Sequence, residues 1–130
     1  LLYMLADAMA RNHRSQKSLD VNAYVLQAMN YIGNNYEKIN AGEIADHCGI
    51  SVTYLNKLFR REIKMSPIEF VTYYRAMVAQ SYLTWSELPL REIAKKSGYN
   101  SDKYFIKVFR SVYGVTPDRF RKDAREKGEK

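Results

Sequence analysis

The chain has 130 residues, 46% of them hydrophobic and 27% charged, with a formal net charge of +7. That length suits one compact unit or two very small ones. No run of eighteen apolar residues occurs, so no transmembrane helix is expected, and the lone cysteine, Cys48, has no partner for an internal disulfide, which points to a reducing cytoplasm. The opening Leu1-Leu2-Tyr3-Met4 has neither the basic segment nor the cleavage site of a signal peptide and reads as a cut inside a longer protein. Residues 1–42 carry 4 basic and 3 acidic side chains, residues 43–89 carry 5 and 5, and residues 90–130 carry 12 and 6. The excess of positive charge near one end favours an anionic partner, nucleic acid first.

Along the chain, Leu1 to Ala10 has a helical stripe of Leu1, Leu2, Leu5, Ala8 and Met9, and Arg11 to Ser18 is polar and reads as a linker. Val21 to Tyr36 follows as an amphipathic helix with Val25, Ala28, Met29, Ile32 and Tyr36 inward. Asn40 with Glu43 forms a capping box for a short helix that buries Ile44, Ala45 and Cys48. Gly49 ends that helix where a positive φ is needed. Ser51 caps the next helix, whose Leu55, Leu58 and Phe59 recur at helical spacing. Ser66-Pro67 opens a long helix to about Trp85, with Phe70, Tyr74, Met77, Val78 and Leu83 inside. Ile93, Ala94 and Ser97 precede Gly98; Ser101 caps a helix buried through Phe105, Val108, Phe109 and Val112. Thr116-Pro117 opens a last helix around Asp118 to Ala124, and the chain is expected to fray from Arg125. No strand pattern is present.

The second half repeats the first. Glu43-Ile44-Ala45 and Gly49 return as Glu92-Ile93-Ala94 and Gly98. Ser51, Tyr54, Lys57, Phe59 and Arg60 return as Ser101, Tyr104, Lys107, Phe109 and Arg110, and Pro67 and Phe70 as Pro117 and Phe120. Eleven identities in a block of 28 residues mark a duplicated module. Each copy reads as helix, tight turn, helix. A small alanine lets the two helices touch, and glycine lets the backbone reverse between them.

Chemistry-bearing constellations are lacking elsewhere. His13 lies in the linker and His47 beside Cys48, a spacing unsuited to zinc. Cys48 falls in a packing stripe rather than at a nucleophile's position. Neither a glycine-rich phosphate loop nor a catalytic set is legible, so the sequence reads as no enzyme, with no cofactor or metal.

These residues resemble the AraC/XylS family of transcriptional regulators over about residues 21–121. The likeness is carried by Glu43-Ile44-Ala45, Ser51-x-x-Tyr54-Leu55-x-x-Leu58-Phe59-Arg60, Ser66-Pro67 and Arg75-x-x-x-Ala79. In the second half it continues through Leu90-x-Glu92-Ile93-Ala94-x-x-x-Gly98-Tyr99, Tyr104-Phe105-x-x-x-Phe109-Arg110 and Gly114-x-Thr116-Pro117-x-x-Phe120-Arg121. The resemblance implies an all-α fold of about seven helices, with two helix-turn-helix subdomains joined by a long linker helix. On that reading residues 1–20 are the remnant of an upstream domain, 21–66 the first subdomain, 67–86 the linker helix and 87–130 the second subdomain. Three departures stand out. Lys64 replaces a usual glycine, so the first motif's exit is expected to bend differently. Lys103 replaces a common serine, and Phe120 a usual tyrosine.

In such motifs the second helix enters the major groove. By resemblance Thr53, Asn56, Lys57, Lys103 and Lys107 align with base-reading positions. Ser51, Arg60, Arg61, Ser101 and Arg110 are placed to hold phosphates. Tyr54 and Tyr104 are expected to be half-buried packing residues. A linker helix of about 19 residues spans roughly 28 Å, near the roughly 34 Å between successive major grooves. One chain can then fill two adjacent grooves, if both serine-opened helices turn their basic flanks to one side. The implied partners are duplex promoter DNA and RNA polymerase, the implied role activation, and the expected effector of the whole protein a sugar. The fragment is expected to be monomeric and the full-length protein dimeric through its missing domain. A protein-interaction or RNA-binding helical module is the alternative; exposed aromatic runs would favour single-stranded RNA.

Overall fold

The computed structural model describes residues 22–128, and the expected helix Leu1 to Ala10 and linker Arg11 to Ser18 lie outside them. Seven helices and no strand are present among the described residues: α1 (Ala23–Asn35), α2 (Ala41–Cys48), α3 (Val52–Ile63), α4 (Pro67–Trp85), α5 (Leu90–Lys96), α6 (Asp102–Tyr113) and α7 (Pro117–Gly128). They form two compact units, one reaching to Val71 and the other starting at Thr72, so α4 contributes its first turn to one and the rest to the other.

In the first unit α1, α2 and α3 pack on one another. Val25, Ala28 and Ile32 of α1 meet Ile44, Ala45 and Cys48 of α2 and Leu55, Leu58, Phe59 and Ile63 of α3 in a buried set. Asn22 caps α1: its side chain accepts the Tyr24 N–H, and its own N–H donates to Glu62 Oε1 at 2.7 Å, tying α1 to α3. The Asn40 side chain accepts from the Glu43 N–H at 2.9 Å and its amide donates to the Glu43 carboxylate at 2.8 Å, a side-chain version of the capping box.

The second unit repeats this around α5, α6, α7 and the rear of α4. Ala79, Leu83, Ile93, Ala94, Tyr99, Phe105, Val108 and Phe109 form its core, and Val112 and Phe120 are partly buried against it. Phe120 sits edge-on to Phe109 with centroids 5.6 Å apart, a ring contact that needs no hydroxyl. Arg121 donates to the carbonyls of Leu83, Ser86 and Leu88, at 3.3, 3.1 and 2.7 Å, and so closes the otherwise open end of α4.

Three expectations are corrected. Tyr74, Met77 and Val78 of α4 are only partly buried, while Val71, Ala76 and Ala79 are buried. The helix serves two cores, and Phe70 and Val71 do not share a stripe with Ala76, Ala79 and Leu83. Nor does the chain fray at Arg125: α7 runs on to Gly128, with Arg125–Glu87 and Arg119–Asp123 ion pairs along it. Finally, the exit of the first motif does not bend differently for want of glycine. Lys64 takes the left-handed conformation at φ 61°, as Gly114 does at φ 82° in the second copy, and Pro67 and Pro117 then open the next helices alike.

A side chain with a Cβ costs about 1–2 kcal/mol in the left-handed region. Lys64→Gly is therefore expected to stabilise the domain by about 1 kcal/mol, raising its thermal midpoint by roughly 4 °C. Calorimetry or thermal circular dichroism reads this directly, and an unchanged or lower midpoint would show that Lys64 is not strained.

Candidate nucleic-acid interface

The interface is built at two corners of the same design. At the end of α2, Gly49 at φ 72° reverses the chain, and the Ile50 N–H donates to the Ala45 carbonyl at 3.1 Å. At the end of α5, Gly98 at φ 92° does the same, and the Tyr99 N–H donates to Ala94 at 2.9 Å. Such a bond spanning five residues satisfies carbonyls a helix end leaves open. Ala45 and Ala94 are 1% and 2% exposed, so both lie inside the packing where each helix pair closes.

Past each corner a serine begins the next helix. Ser51 Oγ accepts the Tyr54 N–H at 3.1 Å and Ser101 Oγ accepts the Tyr104 N–H at 3.2 Å. Each hydroxyl keeps its proton to donate outward, at a helix end whose dipole attracts anions. With their apolar sides buried, α3 and α6 turn polar sides to water. On α3, Thr53, Lys57, Arg60 and Arg61 are exposed and Asn56 is half-buried at the margin; on α6, Asp102, Lys103, Ile106, Lys107 and Arg110 are exposed. Thr53, Asn56 and Lys57 fall at i, i+3 and i+4, and Lys103 and Lys107 at i and i+4, so each trio or pair shares one face.

The arginines differ. Arg60 lies 3.7 Å from Glu69 and Arg61 lies 3.5 Å from Glu62, whereas Arg110 makes no ion pair among the described residues. Val52, in the first turn of α3 and 38% exposed, was missed by the sequence reading and offers a methyl surface beside Thr53. The signal for it was its place directly after the cap, where the buried stripe has not begun.

Tyr54 and Tyr104 are 43% and 57% exposed and lean edge-on against Tyr24 and Tyr99, with centroids 6.3 and 6.1 Å apart. Burial pushes the Tyr99 hydroxyl up to about 12, so it stays protonated. Burial likewise raises the Cys48 thiol, whose Sγ lies 3.7 Å from the Tyr24 carbonyl, as suits a packing residue. His47 stacks on Tyr31 at 4.2 Å. Among the described residues no cluster of His, Cys, Asp and Glu could hold a metal ion, and no helix is long and apolar enough to cross a membrane.

A helix-turn-helix domain family model matches residues 44–123, which takes in both corners. The chain belongs to the AraC-type helix-turn-helix family. Members of this family are DNA-binding transcriptional regulators. The chain is 28% identical over 124 residues to the Msm operon regulatory protein of Streptococcus mutans, covering 95% of this chain and 45% of that one. The C-terminal domain of AraT, a response regulator from Geobacillus stearothermophilus, superposes with a TM-score of 0.77 at 28% identity, over 81% of this chain and 88% of that one. The xylose-binding transcription activator xylR gives a TM-score of 0.72 at 32% identity, over 83% of this chain and 28% of that one. The chain spans less than half the length of the curated relatives it matches.

In this AraC-type domain each serine caps its helix and leaves a hydroxyl at a helix end that suits an anion, and substitution separates the two roles. Ser101→Ala is expected to cost about 1 kcal/mol of stability, whereas Ser101→Asp retains a capping oxygen and stays within about 0.5 kcal/mol of wild type. Ser101→Asp should nonetheless weaken duplex binding, because its charge repels phosphate. Denaturant titration and fluorescence anisotropy measure both; full DNA affinity in Ser101→Asp would place this helix end away from the backbone.

Proposed function

We propose that the domain binds promoter DNA sequence-specifically as the reading head of an operon regulator, with α3 and α6 entering two adjacent major grooves. The observation that carries this reading is the duplicated corner. In both copies it buries one side of the second helix and leaves a serine-opened, mostly cationic side in water. Thr53, Asn56, Lys57, Lys103 and Lys107 read base edges. Asn56 suits adenine and the lysines suit guanine, while the Thr53 methyl meets thymine. Ser51, Ser101, Arg60, Arg61 and Arg110 hold phosphates and set the register.

The division into a first subdomain at 21–66, a connecting helix at 67–86 and a second subdomain at 87–130 follows from the same reading, with residues 1–20 belonging to an upstream domain. The whole protein responds to a sugar and activates transcription through RNA polymerase in the cytoplasm. Its similarity to a xylose-binding activator and to an operon regulatory protein supports that assignment. The domain alone is a monomer, and the full-length protein dimerises through its missing part. It carries out no catalysis of its own.

The test separates reading from positioning. Lys107→Ala is expected to lose discrimination between a selected site and a scrambled duplex, by about 1–3 kcal/mol at the base pair it reads. Arg110→Ala should weaken both duplexes alike and flatten the salt dependence by about 0.9 in log–log slope. Sites selected from a random duplex library supply the probe. Equal discrimination by wild type and Lys107→Ala would remove Lys107 from the reading set.

A further inference from the structure

We infer that the two motifs hold DNA unequally: the second supplies most of the phosphate attraction, while in the first Glu69 competes with phosphate for Arg60. This inference rests on the duplex-binding reading above. Arg60 and Arg110 occupy the same place in the repeat, but nine residues later the first copy has Glu69 and the second Arg119. Glu69 is held in place by a capping box. Its carboxylate accepts the Ser66 N–H at 2.8 Å, its own N–H donates to Ser66 Oγ at 3.1 Å, and its Oε1 lies 3.7 Å from Arg60 Nη1.

In the second copy the Arg119 N–H likewise donates to Thr116 Oγ1 at 3.3 Å, but the Arg119 guanidinium turns to Asp123 at 3.2 Å. Arg110 thus faces no carboxylate partner among the described residues. Neighbouring positions repeat the contrast. Arg61 pairs with Glu62, and the equivalents of those two are Ser111 and Val112. Gly42 and Asp46 of α2 are matched by the exposed Arg91 and Lys95 of α5, and the first helix of such a motif is the one that crosses the backbone. Residues 43–70 carry four basic and four acidic side chains, and residues 92–120 carry six and three.

Arg60 and Glu69 are both more than half exposed, so their pairing tunes affinity rather than governs it. Competition with a phosphate is nevertheless direct, because both acceptors want the same guanidinium. The carboxylate also repels the DNA itself within a Debye length.

Glu69→Gln tests this, since glutamine keeps the capping box while removing the charge. On a duplex without a preferred site, the variant is expected to bind about two- to fivefold tighter at low salt. Its salt dependence should steepen by about 0.9 in log–log slope. Adding Arg60→Ala should abolish the gain in slope and leave only the smaller part of the affinity gain that comes from relieved repulsion. Arg119→Glu, which sets a carboxylate opposite Arg110, should do the reverse, and a thermal melt checks that all three variants fold. If either folded variant leaves affinity and slope unchanged while wild type binds duplex, the competition is refuted and the duplex reading stands. If wild type shows no preference for duplex over single strand, the duplex reading fails and takes this inference with it.

Discussion

Each half of the molecule depends on one tight corner. A glycine in the left-handed region and a hydrogen bond reaching back five residues fix the angle at which two helices leave it. An alanine beside the corner lets the helices touch, and that contact decides which side of the second helix is buried. Leu55, Leu58 and Phe59, or Phe105, Val108 and Phe109, go inward. The same rotation sends Thr53 and Lys57, or Lys103 and Lys107, outward. Function follows from packing here: the interface is the face that the core did not take.

The corner is repeated, but its surroundings are not. The first copy ends its second helix on a lysine forced into a glycine's conformation, and the second ends on glycine. Only the second copy has an arginine, Arg121, bound to three carbonyls at and just past the end of α4; the matching position in the first copy is Val71, a core residue. The buried contacts of the two copies are alike, and close packing tolerates little change there. Charges on the solvent side were free to diverge, since an exposed ion pair is worth little to the fold.

Much of this was legible in the residues. Caps at Asn40, Ser51, Ser66, Ser101 and Thr116 follow local hydrogen-bond chemistry, and all of them form. The two buried stripes follow from helical spacing. What escaped were features set by distant parts of the chain. The interior of α4 could not be read from one stripe because two cores share that helix. The contact of Arg125 in α7 with Glu87, 38 residues before it, belongs to no local pattern. Lys64 looked like a change of direction because sequence gives a residue's preference, not the strain its surroundings impose. At the interface, the exposed faces were legible, while the pairing of Arg60 with Glu69 required the fold of the next helix.

The central claim is that duplex DNA meets the outward faces of α3 and α6. Its most direct test is a backbone amide NMR titration of the domain with a selected duplex. Shifts and line broadening concentrated in residues 51–61 and 101–110 are the expected result, with α1 little changed. A duplex that perturbs α1 or the far side of α4 while leaving those two stretches untouched would contradict the account.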